Sequence, residues 1–304
     1  MTRRAAIDLG SNSALLLITD ADGTALVDDA VVVGLGHGLK DSGALTTHRI
    51  NAAAHTLARF VAQATGLGVA PQHIQAVTTS AARRATNLTD LIGAVRAASG
   101  LTLRVLTGDE EADLTWSGTL TRPARGPTTI CDLGGGSTEL ASGDASGLTH
   151  RVSLELGSVR MTETFFGDGP ADASALARAR ARAKRAFASW SPPTPPRELV
   201  GVAGTVTTLV AWKLGLDRWR PEAVDGAPLS RDDLQAVIYR TAPLDAAARS
   251  GLVPIAEARA PFLLAGALIL DALLERCRLH TLKASVRGLR YALVQPDADL
   301  AEPR

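Results

Sequence analysis

The chain has 304 residues, a formal net charge of +1 at pH 7 and 46% hydrophobic residues. This length is enough for two domains of ordinary size, each with its own core. A charge so close to zero provides no general field that would attract a polyanion, so any anion site must be local. Aromatic residues make up only 4% of the chain, too few for base stacking to be the main mode of recognition. We therefore expect a soluble globular protein without a nucleic-acid partner.

The apolar pattern predicts a β-β-β-α-β-α order that occurs twice along the chain. The first copy comprises strands Ala5–Leu9, Ala14–Asp20, Leu26–Val33, Ile74–Thr78 and Leu103–Thr107, and helices Thr46–Gly66, Asp90–Ser99 and Glu110–Thr119. The second comprises strands Thr128–Asp132, Glu139–Ser142, Arg151–Glu155, Leu199–Val202 and Leu282–Ser285, and helices Asp172–Trp190, Val206–Leu214, Arg231–Tyr239, Pro261–Cys277 and Leu289–Val294. A Pro/Gly segment at 123–127 separates the copies. It predicts domains at 1–124 and 125–304, each a mixed sheet flanked by helices, with the last helix packing back on the first domain.

Cysteine usage and the apolar segments bear on the cellular compartment. Cys131 and Cys277 lie in apolar runs and are predicted to be buried thiols, with no disulfide framework or metal-binding spacing. A reducing cytoplasm is therefore expected. Asp8 interrupts the first apolar run, which argues against a signal peptide. The stretch Pro261–Leu274 is too short to span a bilayer and contains Asp271, so it is predicted to be a core helix, and no membrane partner is expected.

Each copy contains an aspartate followed by a Gly/Ser turn between two predicted strands. Residues 8–13 read DLGSNS and residues 132–139 read DLGGGSTE. Glycine can adopt a positive φ and lets other groups approach closely, so backbone N–H groups can converge on an oxyanion. The predicted phosphate-binding residues of these turns are Ser11, Asn12, Ser13, Gly134, Gly135, Gly136 and Ser137. A tight hairpin at the first turn and a plain Gly-rich β-turn at the second are the alternatives. The pair indicates a duplicated fold with two phosphate-binding hairpins facing one cleft.

Two carboxylates flank the second turn. Asp132 precedes it and Glu139 lies on the returning strand, so both can lie beside a bound phosphate. They would repel that phosphate unless a hard divalent cation lay between them, and Mg²⁺ commonly bridges carboxylate and phosphate oxygens. Asp132 and Glu139 are therefore the predicted metal ligands.

A third turn and an arginine are further candidates for phosphate binding. Gly204 and Thr205 follow a strand and open a helix, where N–H groups and hydroxyls can meet an anion. An ordinary junction capped by Thr205 is equally compatible with these residues. Arg83, at the end of the segment TSAAR (79–83), could be a salt-bridged surface residue or could clamp a phosphoryl group with two hydrogen bonds.

The segment GDEEA (108–112) places three acids at the start of a predicted helix. Acids in the first turn usually complement the helix dipole, and Asp109 and Glu110 are interpreted in this way. A carboxylate at Glu111 could instead act as a general base on an attacking water.

Together these segments resemble the Ppx/GppA family of exopolyphosphatases and guanosine pentaphosphate phosphohydrolases, from Ala5 to about Val294. The motifs that carry the resemblance are residues 8–13 (DLGSNS), 79–83 (TSAAR), 108–112 (GDEEA), 132–139 (DLGGGSTE), 156–160 (LGSVR), 204–208 (GTVTT) and 288–290 (GLR). The resemblance implies an α/β fold of two actin-like (ASKHA, ribonuclease H-like) domains, each a mixed β-sheet flanked by helices, with an interdomain cleft.

The same resemblance implies an activity and residue roles. It implies a cytoplasmic phosphoric anhydride hydrolase that releases the terminal phosphate of inorganic polyphosphate or a guanosine polyphosphate, and a homodimer. Glu111 matches the family's proposed base, and Arg83 matches an arginine implicated in phosphate binding. Asp132 and Glu139 match the acids that engage Mg²⁺ (or Mn²⁺) and orient water.

This chain departs from the family pattern at five positions: Leu15, Gly34, His37, Asp225 and Pro261. None lies in the motifs of Glu111 or Asp132, so we expect the catalytic residues to be retained and the binding of substrate to differ. Longer members carry additional C-terminal helical domains, and the shorter length predicts shorter substrates or weaker processivity. Three alternatives remain open: a pppGpp 5′-phosphohydrolase, a non-hydrolytic sensor of nucleotide or polyphosphate, and a sugar or acetate kinase on the same scaffold.

Overall fold

The computed structural model describes residues 2–253 and 256–295. Two compact units contain them. The first comprises the described residues up to Thr119 together with those from Gly288 onward, and the second runs from Leu120 to Arg287. Residues 296–304 of the predicted second domain lie outside the described residues.

Eleven strands and thirteen helices occur within the described ranges. The strands are β1 (Arg4–Leu9), β2 (Ser13–Thr19), β3 (Ala25–Val32), β4 (Ile74–Thr78), β5 (Arg104–Val105), β6 (Thr128–Leu133), β7 (Thr138–Asp144), β8 (Gly147–Leu154), β9 (Glu198–Val202), β10 (Pro228–Ser230) and β11 (Thr281–Ala284). The helices are α1 (Leu39–Ser42), α2 (Thr47–Gly66), α3 (Ser80–Arg84), α4 (Leu88–Ser99), α5 (Gly108–Thr119), α6 (Ser158–Phe165), α7 (Ala173–Ala188), α8 (Ala203–Lys213), α9 (Pro221–Val224), α10 (Arg231–Thr241), α11 (Ala246–Ser250), α12 (Leu263–Cys277) and α13 (Leu289–Leu293). Pro71–His73 and Ala260–Phe262 form single 3₁₀ turns.

The two sheets repeat one topology. The first has the strand order β3-β2-β1-β4-β5, and the second, read from its opposite edge, has β8-β7-β6-β9-β11-β10. In each sheet the first three strands of the unit are antiparallel neighbours, and the next strand joins the first in parallel. The predicted duplication and the mixed-sheet fold class are confirmed by this shared order.

The predicted elements are present with small shifts of their ends. In α2, the side chains of Ile50, Ala53, Leu57 and Phe60 are buried, as the 3.6-residue period requires. The segment predicted as a core helix forms α12, which is buried along most of its length. Helices α1, α3, α6, α9 and α11 and strand β10 were not predicted, and among them α6 bears most directly on the candidate site.

Helix α5 packs closely against the segment that begins at Gly288. A Cβ built on Gly118 would lie 2.1 Å from the main-chain oxygen of Gly288, so no side chain fits there. Leu289 and Leu293 of α13 join an apolar cluster with Leu106 and other residues of the first sheet. This packing fixes the position of α5, whose first turn carries Glu111, within the first unit.

Burial also determines the state of the two cysteines. Both are buried free thiols, as predicted. Burial raises the pKa of Cys131 far above its usual range and raises the pKa of Cys277 to about 12. Both thiols therefore remain protonated and unreactive at neutral pH. No helix within residues 2–253 and 256–295 is long and apolar enough to cross a bilayer.

Candidate active site

Buried Glu111 and partly exposed Arg83 form an ion pair in the first unit. Glu111 is 7% exposed, and its Oε2 accepts a hydrogen bond from Nη1 of Arg83 at 2.8 Å. The same Nη1 also donates to the main-chain oxygen of Leu106 at 2.7 Å. Arg83 follows β4, Leu106 follows β5 and Glu111 lies in the first turn of α5, so the pair sits beyond the carboxyl ends of two parallel strands. Ligands of open α/β sheets commonly bind at such ends.

Glu110, the residue before the candidate base, has a different environment. Its carboxylate accepts from the Thr107 main-chain N–H at 2.7 Å and bonds to Arg104, while the Thr107 hydroxyl accepts from its main-chain N–H at 3.2 Å. Burial raises the pKa of Glu110, but these hydrogen bonds outweigh it and lower the pKa below its usual value. The predicted capping role of Glu110 is confirmed.

The first Gly/Ser turn is closed as a hairpin and supported by the segment after β3. The N–H of Gly10 donates to Ser13 O at 2.9 Å. The N–H of Gly36 donates to Ser11 O at 2.7 Å, and the N–H of Gly34 donates to Asn12 O at 2.8 Å. The carbonyls of Ser11 and Asn12 therefore both accept hydrogen bonds from the segment after β3. Because they point toward that segment, the N–H groups of the residues that follow them point away from it.

The second turn has the same hairpin closure but rests on the N-terminus of α6. The N–H of Gly134 donates to Ser137 O at 3.1 Å, and the N–H of Ser158 donates to Gly134 O at 3.0 Å. The N–H groups of Val159 and Arg160 donate to Gly135 O at 3.0 and 3.1 Å. A Cβ on Gly157 would lie 2.3 Å from Gly135 O, so only glycine permits this contact.

The expected reason for glycine in these turns was partly wrong. None of Gly10, Gly134, Gly135 and Gly136 has a positive φ. The second turn depends instead on the other property of glycine, which is that it lets another group approach closely. The glycine that is approached is Gly157, which lies against the turn. Sequence inspection finds glycine in the turn but does not identify the helix that packs against it.

The two predicted metal ligands of the second unit share one face of its sheet. Asp132 of β6 is directly opposite Glu139 of β7 in the antiparallel ladder, so both side chains point the same way. Glu139 is buried, and the hydroxyl of Ser153 on β8 donates to its Oε1 at 2.7 Å. Among the described residues, no group of three or more His, Cys, Asp or Glu side chains is placed to hold a metal. Two carboxylates plus substrate oxygens are nevertheless a common way of holding Mg²⁺, so the residues fit this ion.

The third turn is joined to the second through Ser158. The Oγ of Ser158 lies 3.2 Å from Oγ1 of Thr205, and it donates a hydrogen bond to Gly134 O at 3.4 Å. Helix α8 begins at Ala203 without a side-chain cap, so the alternative in which Thr205 caps a plain junction is wrong. The structure thus brings the predicted phosphate-binding residues Gly204 and Thr205 next to those of the second turn.

Four contacting residues were not identified from the sequence. Ser153 bonds to a predicted metal ligand, and Ser158 and Arg160 bond to the second turn. The guanidinium of Arg259 lies 2.9 Å from where a Cβ of Gly204 would stand. Ser158 and Arg160 belong to the motif at 156–160, so the resemblance marked them without indicating their contacts.

Comparison with known proteins identifies the family. The two repeated units define an actin-like fold. A model of the Ppx/GppA phosphatase family matches residues 18–298, and the chain belongs to this family. A Mycobacterium tuberculosis (strain H37Rv) protein named exopolyphosphatase 2 is 31% identical over 299 residues, covering 91% of this chain and 92% of the relative. These matches assign the chain to the phosphatases, which are hydrolases.

Solved structures agree with the family assignment. The crystal structure of an exopolyphosphatase-like protein superposes with a TM-score of 0.86 at 28% identity and covers 96% of both chains. The Ppx/GppA family member of Aquifex aeolicus superposes with a TM-score of 0.78 at 28% identity, again covering 96% of both chains.

Proposed function

We propose that this protein is an exopolyphosphatase that hydrolyses the terminal phosphate of inorganic polyphosphate. The observation that carries the proposal is the pair of Glu111 and Arg83, because the guanidinium holds in place a buried carboxylate that can accept a proton from water. The relative named exopolyphosphatase 2 supports the choice of substrate.

In the proposed reaction Glu111 acts as general base. A water oxygen attacks the terminal phosphorus, and the bond from that phosphorus to the bridging oxygen breaks. The water proton passes to the Glu111 carboxylate, while the shortened polyphosphate leaves with the bonding electron pair. Arg83 holds Glu111 in place, and its guanidinium charge also favours a phosphate ligand nearby.

In the second unit we propose that the turn at 134–137 binds phosphate oxygens through its main-chain N–H groups. Asp132 and Glu139 would hold Mg²⁺ or Mn²⁺, which when bound neutralises phosphate charge and makes water a better nucleophile. Ser153 orients the Glu139 carboxylate by its hydrogen bond. Ser11, Asn12 and Ser13 in the first unit, with Gly204 and Thr205 in the second, remain proposed phosphate contacts.

A pair of neighbouring variants tests the general base. Glu111→Gln removes the proton acceptor but keeps the shape of the side chain, and we expect phosphate release to fall by about 10²–10⁴-fold, the usual contribution of general-base catalysis, while polyphosphate binding remains. Glu110→Gln removes the same charge from the same helical turn and serves as the matched control, with unchanged kcat. Phosphate release by malachite green and binding by calorimetry are the measurements. Full activity of Glu111→Gln would exclude this residue as the base.

The substrate is tested by direct comparison. Phosphate release from polyphosphates of defined length, measured beside release from pppGpp, distinguishes the exopolyphosphatase from a pppGpp 5′-phosphohydrolase. Binding without turnover across divalent metals would instead indicate a sensor. Phosphoryl transfer from polyphosphate or ATP to an acceptor would indicate a kinase and contradict the proposal.

We further propose a cytoplasmic location and a homodimer. The two protonated, buried cysteines are compatible with a reducing compartment. Light scattering of the purified protein checks the dimer, and a monomeric mass across micromolar concentrations would contradict it.

A further inference from the structure

Arg160 joins the second Gly/Ser turn to a carboxylate outside it. Its Nε donates to Gly136 O at 3.1 Å, and its Nη2 bonds to the carboxylate of Glu155. The Arg160 side chain is 23% exposed, so most of it is packed against the protein. Glu155 therefore holds the guanidinium in the orientation that reaches the turn.

With this contact, three successive carbonyls of the turn are bonded to the start of α6. Gly134 O and Gly135 O accept main-chain N–H groups of α6, and Gly136 O accepts the Arg160 side chain. Among the described residues no main-chain N–H group donates to the third carbonyl, and the Arg160 side chain donates to it instead.

Peptide geometry determines where the N–H groups of the turn then point. In a trans peptide the C=O and the following N–H are antiparallel, and the described chain has no cis peptide. Fixing the carbonyls of Gly134, Gly135 and Gly136 toward α6 therefore directs the N–H groups of Gly135, Gly136 and Ser137 away from it. Within residues 2–253 and 256–295, none of these three N–H groups donates to a main-chain oxygen. Three donors that point away from the helix on the same turn are suited to a tetrahedral oxyanion.

We propose that Arg160 is a positioning residue that preorganises this turn for a phosphoryl group. It acts through Gly136 and does not touch the ligand. Preorganised donors bind an anion more tightly because they need no rearrangement on binding. The inference rests on the proposed function for the identity of the substrate, but not for the anion-binding property of the turn.

A neighbouring arginine provides a matched control. Arg182 of α7 also bonds to Glu155, through Nη2 and the Glu155 main-chain oxygen at 2.9 Å. None of the hydrogen bonds of Arg182 reaches the turn. Arg182→Gln therefore removes the same charge next to the same glutamate, whereas Arg160→Gln removes the bond to the Glu155 carboxylate and the donor to Gly136 O.

The test compares Arg160→Gln, Arg160→Lys and Arg182→Gln with the wild-type chain. We expect Arg160→Gln to weaken orthophosphate and tripolyphosphate binding and to lower kcat/KM by about tenfold, which corresponds to about 1.4 kcal/mol. Lysine, with one compact donor group, cannot bond to both Gly136 O and Glu155 and restores only part of the loss. Arg182→Gln stays within about twofold of wild type. Thermal unfolding of each variant checks that the fold is retained.

Equal orthophosphate affinity of Arg160→Gln and Arg182→Gln would overturn the inference, whether both variants keep the wild-type affinity or both lose it. If Arg160→Gln fails to fold, the same comparison is made with Arg160→Lys, where affinities equal to the control would overturn it. Wild-type protein that binds orthophosphate but releases no phosphate from any substrate would contradict the proposed function and leave the inference standing. The orthophosphate affinities of the variants would still test the role of Arg160. Wild-type protein that binds neither anion would overturn the inference.

Discussion

The two Gly/Ser turns have the same hairpin closure but different chemical surroundings. In the first sheet Asp8 is directly opposite Leu15, whereas in the second Asp132 is directly opposite Glu139. The two pairs occupy the same place in the repeated topology, immediately before the turn. Leucine offers no oxygen ligand, so of these two cross-strand pairs only the second supplies two carboxylates for the proposed cation.

The turns are also held by different elements. Residues 34–36, an irregular segment after β3, donate N–H groups to the carbonyls of Ser11 and Asn12. The second turn is held at its first two carbonyls by the regular N-terminus of α6, and at the third by the Arg160 side chain. We expect the donors of α6, which the hydrogen bonds of the helix hold in place, to support their turn more firmly than the irregular segment supports the first turn. A duplicated scaffold can thus keep the same two hairpins while the residues around them differ.

The largest expected effect comes from making the second turn like the first. Glu139→Leu removes the carboxylate opposite Asp132, and we expect kcat to fall by about 10²–10³-fold, a typical cost of losing one electrostatic contact to the reacting group. Phosphate release as a function of Mg²⁺ concentration measures it. Glu222→Leu, the same change at an exposed position of α9, is the control. Wild-type rates in Glu139→Leu would show that the asymmetry of the carboxylates is not functional.

A smaller effect, on the free energy of unfolding, is expected to distinguish the segment that supports the first turn from the helix that supports the second. Gly157→Ala would place a Cβ 2.3 Å from Gly135 O, and we expect a loss of about 3 kcal/mol in the free energy of unfolding. Gly36→Ala would place its Cβ 3.3 Å from Ser11 O, where a shift of a few tenths of an ångström suffices, and we expect about 1 kcal/mol. Urea unfolding measures both. Equal losses of unfolding free energy in the two variants would contradict the expectation that the second turn is supported more firmly than the first.

The smallest expected effect, again on the free energy of unfolding, concerns the residue that follows β4 in the first unit and the residue that follows β9 in the second. Ala203 follows β9 with φ 71°, whereas Thr79 follows β4 with φ −131°. Glycine relieves the left-handed strain at Ala203, so Ala203→Gly should raise the free energy of unfolding by about 0.5–1 kcal/mol. Thr79→Gly relieves nothing and should lower it by a similar amount, because glycine loses more backbone entropy on folding. Thermal unfolding checks the opposite signs, and a decrease in both would contradict this difference in strain.

Much of the fold could be predicted because its signals are local. Apolar runs, Gly/Ser turns and a repeated order of elements gave both sheets, and the position of Glu139 on the returning strand gave the carboxylate pair. Helix α6 was not predicted, because its N-cap Gly157 has no capping side chain and its first N–H groups bond to a distant turn. The pairing of Arg83 with Glu111 was also missed, since each residue suggested a role of its own and only tertiary structure brings them within 2.8 Å.

Helix α13 gives the first unit a component that is synthesised after the whole of the second unit. Leu289 and Leu293 pack against Ala6, Leu17 and Val77, which come from strands made much earlier. The first sheet therefore leaves the ribosome without part of its apolar cover, whereas Leu120–Arg287 can complete its own core before α13 is translated. During that interval Ala6, Leu17 and Val77 lack the apolar contacts that α13 provides. The first unit therefore completes its core only after the second unit has been translated.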